Sequence, residues 1–145
     1  MKGYYKNTTA TDAAFHKDGW LRTGDMASMD EQGYITIKGR YKDLIVSAGE
    51  NIYPREIEET LMKAPGVMDA AVVGKPDKLR SEVPYAFVTV AEEAKGKMDD
   101  KMLRRICKEH LADYKIPDGF EIIEQMPKTP TGKIQKNKLK EQYFS

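Results

Sequence analysis

The chain has one cysteine, Cys107, two histidines and one tryptophan in 145 residues. A single thiol excludes an internal disulfide framework and is compatible with a reducing, cytoplasmic setting. His16 and His110 are isolated and lack the spacing of a metal-ligand set, so no metal site is expected in this chain. An excess of charge of one sign is also missing. Lys and Arg number 24 against 23 Asp and Glu, so no global field steers the chain to nucleic acid or to a membrane surface. No apolar run approaches the roughly 20 residues that a transmembrane helix needs. The opening Met1-Lys2-Gly3-Tyr4-Tyr5 carries no apolar signal region, and no internal repeat or low-complexity tract is visible.

What is present suits one domain, or one domain with a short piece of another. Hydrophobic residues at 40% are enough for a core, and charged residues at 32% are enough for a solvated surface. Residues 1–17 carry Gly, Asn, Thr and Lys with little periodicity, which predicts a loop with a short helix over residues 11–16. Met29-Asp30-Glu31-Gln32-Gly33 reads as a turn, and Tyr34-Ile35-Thr36-Ile37-Lys38 as a strand that returns against residues 25–29. Leu44-Ile45-Val46 and Asn51-Ile52-Tyr53 flank a second turn, Ser47-Ala48-Gly49-Glu50.

Pro54 fits the first helical position, where a missing N–H leaves nothing unpaired. Glu56, Glu58 and Glu59 suit the positive end of that helix, Ile57 and Leu61 share a face, and Pro65-Gly66 stops it. Residues 67–73 and 83–90 read as core strands joined by a loop containing Gly74, Pro76 and Asp77. A helix over residues 99–111 buries Leu103, Ile106, Cys107 and Leu111. Ile116-Pro117 breaks it, residues 120–123 form a last strand, and residues 136–142 a closing helix. From Leu44 onward this is an α+β domain: a short β-hairpin and a three-stranded sheet covered by helices.

Three motifs stand in one order: Asp18-Gly19-Trp20-Leu21-Arg22-Thr23-Gly24-Asp25, then Gly39-Arg40-Tyr41-Lys42-Asp43, then Pro127-Lys128-Thr129-Pro130-Thr131-Gly132-Lys133. As a set they resemble the last three core motifs of the adenylate-forming ligases, which include acyl-CoA synthetases, aryl-CoA ligases and amino-acid adenylation domains. The resemblance implies a C-terminal fragment of an acyl-CoA synthetase. Residues 1–41 would be a remnant of the large N-terminal adenylation domain, and residues 42–145 the C-terminal lid domain.

The resemblance also implies roles. Asp25 would bind the ribose hydroxyls of ATP, a task that suits an acceptor with two oxygens and no donor. Taken alone, Asp25 would simply cap a turn. Arg40 would reach the nucleotide near ribose and phosphate, using its fixed charge and forked donors. Lys42 would be the hinge on which the lid turns between half-reactions. Gly49 would lie beside the pantetheine tunnel, where a side chain would obstruct the thiol, although a hairpin glycine of positive φ explains it equally. Lys108 would contact a CoA phosphate, against the plain reading of a solvated helix charge.

Lys133 would be the catalytic lysine of adenylation, bridging the substrate carboxylate and the α-phosphate. The Gly132-Lys133 pair is not a P-loop, because the first glycine is missing and Ile134 replaces the required Ser or Thr. Without the upstream motifs Lys133 would be one exposed lysine among Lys128, Lys136, Lys138 and Lys140. The parent would use a carboxylic acid, ATP and CoA, with magnesium held outside this chain, and would release AMP and pyrophosphate. A fatty acid is the expected substrate, with aryl-CoA ligase and amino-acid adenylation as alternatives. Alone, the fragment is expected to be inactive for the overall reaction. A non-catalytic binding module that reuses the lid is the alternative from another class. Arg80-Ser81-Glu82 departs from the family, whose members often have Gly-Glu before the next strand.

Overall fold

The computed structural model describes residues 1–145. The chain divides into two compact units, Met1–Lys42 and Asp43–Ser145.

The first unit holds helix α1 (Thr8–Ala14) and strands β1 (Asp25–Met29) and β2 (Ile35–Arg40). The helix lies earlier than the expected residues 11–16 because Asn7 caps it, its side-chain oxygen accepting from the Ala10 N–H at 2.9 Å. The hairpin closes through Asp30, whose Oδ1 accepts from the N–H groups of Gln32 and Tyr34 at 3.0 and 2.8 Å. β1 and β2 pair antiparallel, with Asp25 opposite Arg40 and a register shift between Met26 and Ala27. No residue before Ile45 is buried. Trp20, Tyr34 and Met29 are 77%, 74% and 72% exposed. A two-stranded ribbon with apolar side chains open to water is marginal by itself.

The second unit runs β3 (Ile45–Ser47), β4 (Glu50–Ile52), α2 (Pro54–Met62), β5 (Val67–Asp77), β6 (Ser81–Val90), α3 (Asp100–His110), β7 (Gly119–Ile122) and α4 (Lys136–Phe144). Both the hairpin and the three longer strands expected from the sequence form. They join at one point, Ser47 opposite Ser81, to make a five-stranded sheet in which β7 runs parallel to β6. The long pair β5–β6 is buried on both faces, so its strands read as nearly continuous apolar runs. Alternate residues serve two cores. Ala70, Val72, Ala86 and Val88 face α2 and α3, where Ile57, Leu61, Leu103 and Cys107 pack. Ala71, Val73 and Phe87 face Leu139 of α4 and Met126.

β5 does not stop at Val73 as the loop-forming residues suggest; it continues through Gly74 and Pro76 to Asp77. It is an edge strand, paired only with β6. Val72 directs its N–H to the open edge, where Glu58 Oε1 accepts it at 2.8 Å. Pro76 lies four residues on, in the same parity, so its missing N–H faces that open edge and interrupts no ladder bond. The turn is confined to residues 78–80. Asp77 Oδ1 closes it by accepting from the N–H groups of Leu79 and Arg80 at 3.0 and 2.8 Å.

Candidate functional site

In the first unit the hairpin register brings two candidate residues together. Asp25 opens β1 and Arg40 closes β2, and Arg40 Nε lies 3.5 Å from Asp25 Oδ1. Both side chains reach solvent, at 32% for Asp25 and 56% for Arg40. An ion pair this exposed contributes about 0–1 kcal/mol, so a ligand offering better partners can displace it. The approach to Asp25 is fixed by backbone bonds: Thr23 Oγ1 accepts from the Asp25 N–H at 3.1 Å, and Gly24 C=O accepts from the Tyr41 N–H at 2.9 Å. A carboxylate and a guanidinium, adjacent and exposed, offer acceptors for hydroxyls and donors for an anionic oxygen. Lys42 sits in a 3₁₀ turn, Tyr41–Asp43, at the last position of the first unit.

In the second unit Gly49 is a central residue of the β3–β4 turn. Ala48 and Gly49 have φ of 50° and 88°, the pattern of a two-residue hairpin with both central residues left-handed. A Cβ at Gly49 would meet nothing within 4 Å, so within this chain the glycine answers to conformation, not to crowding. The turn is tied to the next hairpin, since the Ala48 N–H donates to Arg80 C=O at 2.9 Å. Lys108 is exposed in the last turn of α3 and makes no ion pair. No hydrogen bond or ion pair joins Gly49, Lys108 and Lys133 to one another.

The Lys133 segment is a hairpin. Lys128 and Ile134 form an antiparallel bridge, and the Thr129 N–H donates to Lys133 C=O at 2.7 Å. The Gly132 N–H donates to Thr129 C=O at 2.9 Å, which closes a turn with Pro130 and Thr131 at its centre. Pro130 presets the first central φ, and Gly132 takes the left-handed position at φ 83°. Thr129 Oγ1 accepts the Lys133 N–H at 3.1 Å. The Lys133 ammonium itself is exposed and has no partner.

Three of the other tail lysines are ion-paired, whereas Lys138 is exposed and unpaired like Lys133. Lys128 Nζ lies 2.8 Å from both carboxylate oxygens of Asp69, Lys136 Nζ 2.6 Å from Glu58 Oε1, and Lys140 Nζ 3.7 Å from Glu82 Oε1. The hairpin thus carries paired lysines at its feet and a free one at its end. The sequence shows these only as a lysine-rich tail. Their partners lie far back in the chain, where no local spacing rule points to them.

The Arg80 segment that departs from the family pattern is a built corner. Arg80 Nη2 lies 2.8 Å from Asp118 Oδ1, and Ser81 adopts φ 72°. The backbone N–H groups of Arg80 and Leu79 hold the Asp77 carboxyl below its ordinary pKa. No group of three or more His, Cys, Asp or Glu converges anywhere in the chain. No helix is long and apolar enough to cross a membrane.

Comparisons with known proteins agree on one family. The sequence profile of the AMP-binding enzyme C-terminal domain matches residues 56–133. A 2-succinylbenzoate–CoA ligase of Listeria monocytogenes serotype 4b (strain F2365) is 50% identical over 141 residues, covering 97% of this chain and 29% of the relative. ATP-bound MatB from Rhodopseudomonas palustris superposes with a TM-score of 0.90 at 35% identity, over 99% of this chain and 28% of that one. The o-succinylbenzoate CoA synthetase MenE from Bacillus subtilis, in complex with the acyl-adenylate intermediate OSB-AMP, superposes with a TM-score of 0.88 at 38% identity, over 97% and 28%. The chain thus spans about 29% of the length of the curated relative it matches. With its α+β sheet-and-helix architecture and a profile match over more than half its length, the chain belongs to the AMP-binding enzyme C-terminal domain family.

Proposed function

We propose that this chain is the C-terminal portion of an ATP-dependent carboxylate–CoA ligase. In the first half-reaction a substrate carboxylate oxygen attacks the α-phosphorus of ATP. The bond to the bridging oxygen breaks, and acyl adenylate and pyrophosphate form. In the second, the CoA thiol attacks the acyl carbon, its proton passes to base or solvent, and AMP leaves. Asp25 binds the ribose hydroxyls and Arg40 the nucleotide, a reading supported by their pairing across one hairpin. Lys133 supplies positive charge between the carboxylate and the α-phosphate, where two anionic groups must approach.

Residues 1–41 belong to the large domain and residues 42–145 to the lid, with Lys42 as the hinge. The chain divides one residue later, between Lys42 and Asp43, which supports a boundary at Lys42. Gly49 serves the thioester step as open backbone beside the pantetheine path, and Lys108 contacts a CoA phosphate. The observation that carries the proposal is Lys133: a cation without a partner, held at the end of a hairpin whose two foot lysines, Lys128 and Lys136, are ion-paired.

The substrate is a carboxylic acid, and the acyl pocket lies outside this chain. The test is carboxylate-dependent ATP–pyrophosphate exchange by the full-length enzyme over a panel of fatty acids, aryl acids, 2-succinylbenzoate and amino acids. Exchange with one class, followed by acyl-CoA formation, is expected and names the substrate. No exchange with any acid would contradict the proposal.

A further inference from the structure

The feet of the Lys133 hairpin are built more firmly than its exposure requires. Met126 is 3% exposed and Ile134 packs against the same core as Phe87 and Leu139. Lys128 is ion-paired to Asp69 on β5, and Lys136 to Glu58 on α2. The second pair is the less solvated, with side-chain exposures of 22% and 19%. Glu58 Oε1 does two things at once: it accepts the Val72 N–H at the open edge of β5 and the Lys136 ammonium. Lys136 is also the first residue of α4, and the first turn of that helix contains no acidic residue. A cation there meets the positive end of the helix dipole, which is unfavourable. A lysine in that position needs an opposing charge, and Glu58 is the group that provides it.

We propose that the Glu58–Lys136 ion pair, with Asp69–Lys128 at the other foot, is a positioning device that sets where the Lys133 ammonium stands. Neither lysine foot touches the reactants. They act through Lys133 by clamping the hairpin to β5 and α2. This inference rests on the reading of Lys133 as the adenylation cation. Its consequence is selective: loosening a foot impairs adenylation and leaves thioester formation from supplied acyl adenylate intact.

The experiment compares wild-type full-length enzyme with Lys136→Met and Lys136→Arg. ATP–pyrophosphate exchange and acyl-CoA formation from supplied acyl adenylate are measured separately, and amide spectra of Thr129, Gly132 and Lys133 are recorded on the 145-residue chain. Lys136→Met is expected to lower the exchange kcat by about 10²-fold, the penalty of a displacement of about 1 Å. Thioester formation should stay within about twofold, the three amides should shift, and Lys136→Arg should restore most of the exchange. If the wild type is active and Lys136→Met exchanges normally, or loses both half-reactions together, the positioning role is overturned and the ligase reading stands. If the wild type supports neither half-reaction, the ligase reading falls and this inference with it. Unmoved amides in Lys136→Met would overturn the clamp whatever the activity.

Discussion

Gly132→Ala separates backbone strain from crowding at the loop that presents Lys133. Gly132 has φ 83°, and a Cβ built on it meets nothing within 4 Å. The substitution therefore adds no steric clash with the rest of the chain. It asks an L-residue to occupy the left-handed region, which costs roughly 1–2 kcal/mol. Part of that is offset because alanine has less freedom to lose on folding than glycine, by about 0.4–1 kcal/mol. The net loss is about 1 kcal/mol. The hairpin could escape the strain by opening, but it would then give up the Gly132-to-Thr129 and Thr129-to-Lys133 backbone bonds. At about 0.5–1.5 kcal/mol each, that is as costly or more so. Strain with the hairpin kept is the expected outcome.

For a unit of this size about 1 kcal/mol lowers Tm by roughly 4–8 °C. The assay is thermal unfolding of the chain followed by far-ultraviolet circular dichroism, with Lys133→Ala as the internal comparison. That neighbour is exposed and unpaired, so its removal should change stability by no more than about 0.5 kcal/mol. If Gly132→Ala and Lys133→Ala melt together, the left-handed assignment of Gly132 is refuted.

Ser81→Gly should act in the opposite direction. Ser81 holds φ 72° beside the β5–β6 turn, so glycine relieves strain there and should raise Tm by a few degrees, reflecting about 0.5–1 kcal/mol net; an unchanged or lower Tm would contradict this. Cys107 is fully buried, and burial pushes its thiol pKa up to about 11 from an ordinary 9.0. A raised thiol pKa means that the stabilising preference for the neutral form is complete below pH 9 and is lost as pH rises through about 11. Lys115 adds to the same alkaline loss: its pKa is raised above 10.5 by the Glu56 carboxylate, so its contribution is present below that pH and fades above it. Stability measured by denaturant should fall above pH 9, and thiol reagents at pH 8 should modify Cys107 only in the unfolded chain. Rapid labelling under native conditions would contradict its burial.

Much of the fold is legible because local chemistry and packing agree. Pro54 starts α2, and the nearly continuous apolar runs of β5 and β6 mark strands buried on both faces, whose successive residues serve two cores. The turn at residues 30–34 is visible through Asp30 and Gly33. What is not legible depends on pairing at a distance. Nothing local shows that β5 is an edge strand and so tolerates Pro76, or that β3 joins β6 at Ser47 and Ser81. The parallel direction of β7 is equally hidden.

The candidate site divides in the same way. Asp25 and Arg40 are visible as motif residues, but only the β1–β2 register makes them neighbours. Lys133 is visible as the lysine after a glycine. The distinction between it and Lys128, Lys136 and Lys140 comes from acidic partners on β5, α2 and β6. Helix electrostatics could have drawn attention to Lys136, since a lysine opening a helix with no nearby acid requires a tertiary partner.

We propose that Lys133 serves adenylation and not thioester formation. Its most direct test is the full-length enzyme with Lys133→Ala, assayed for ATP–pyrophosphate exchange and, separately, for acyl-CoA formation from supplied acyl adenylate. Removing one preorganised charge from a developing anionic centre typically costs about 10²–10³ in rate. A loss of that order in exchange is expected for Lys133→Ala, with thioester formation and Tm retained. Exchange at the wild-type rate, or equal loss of both half-reactions, would contradict it.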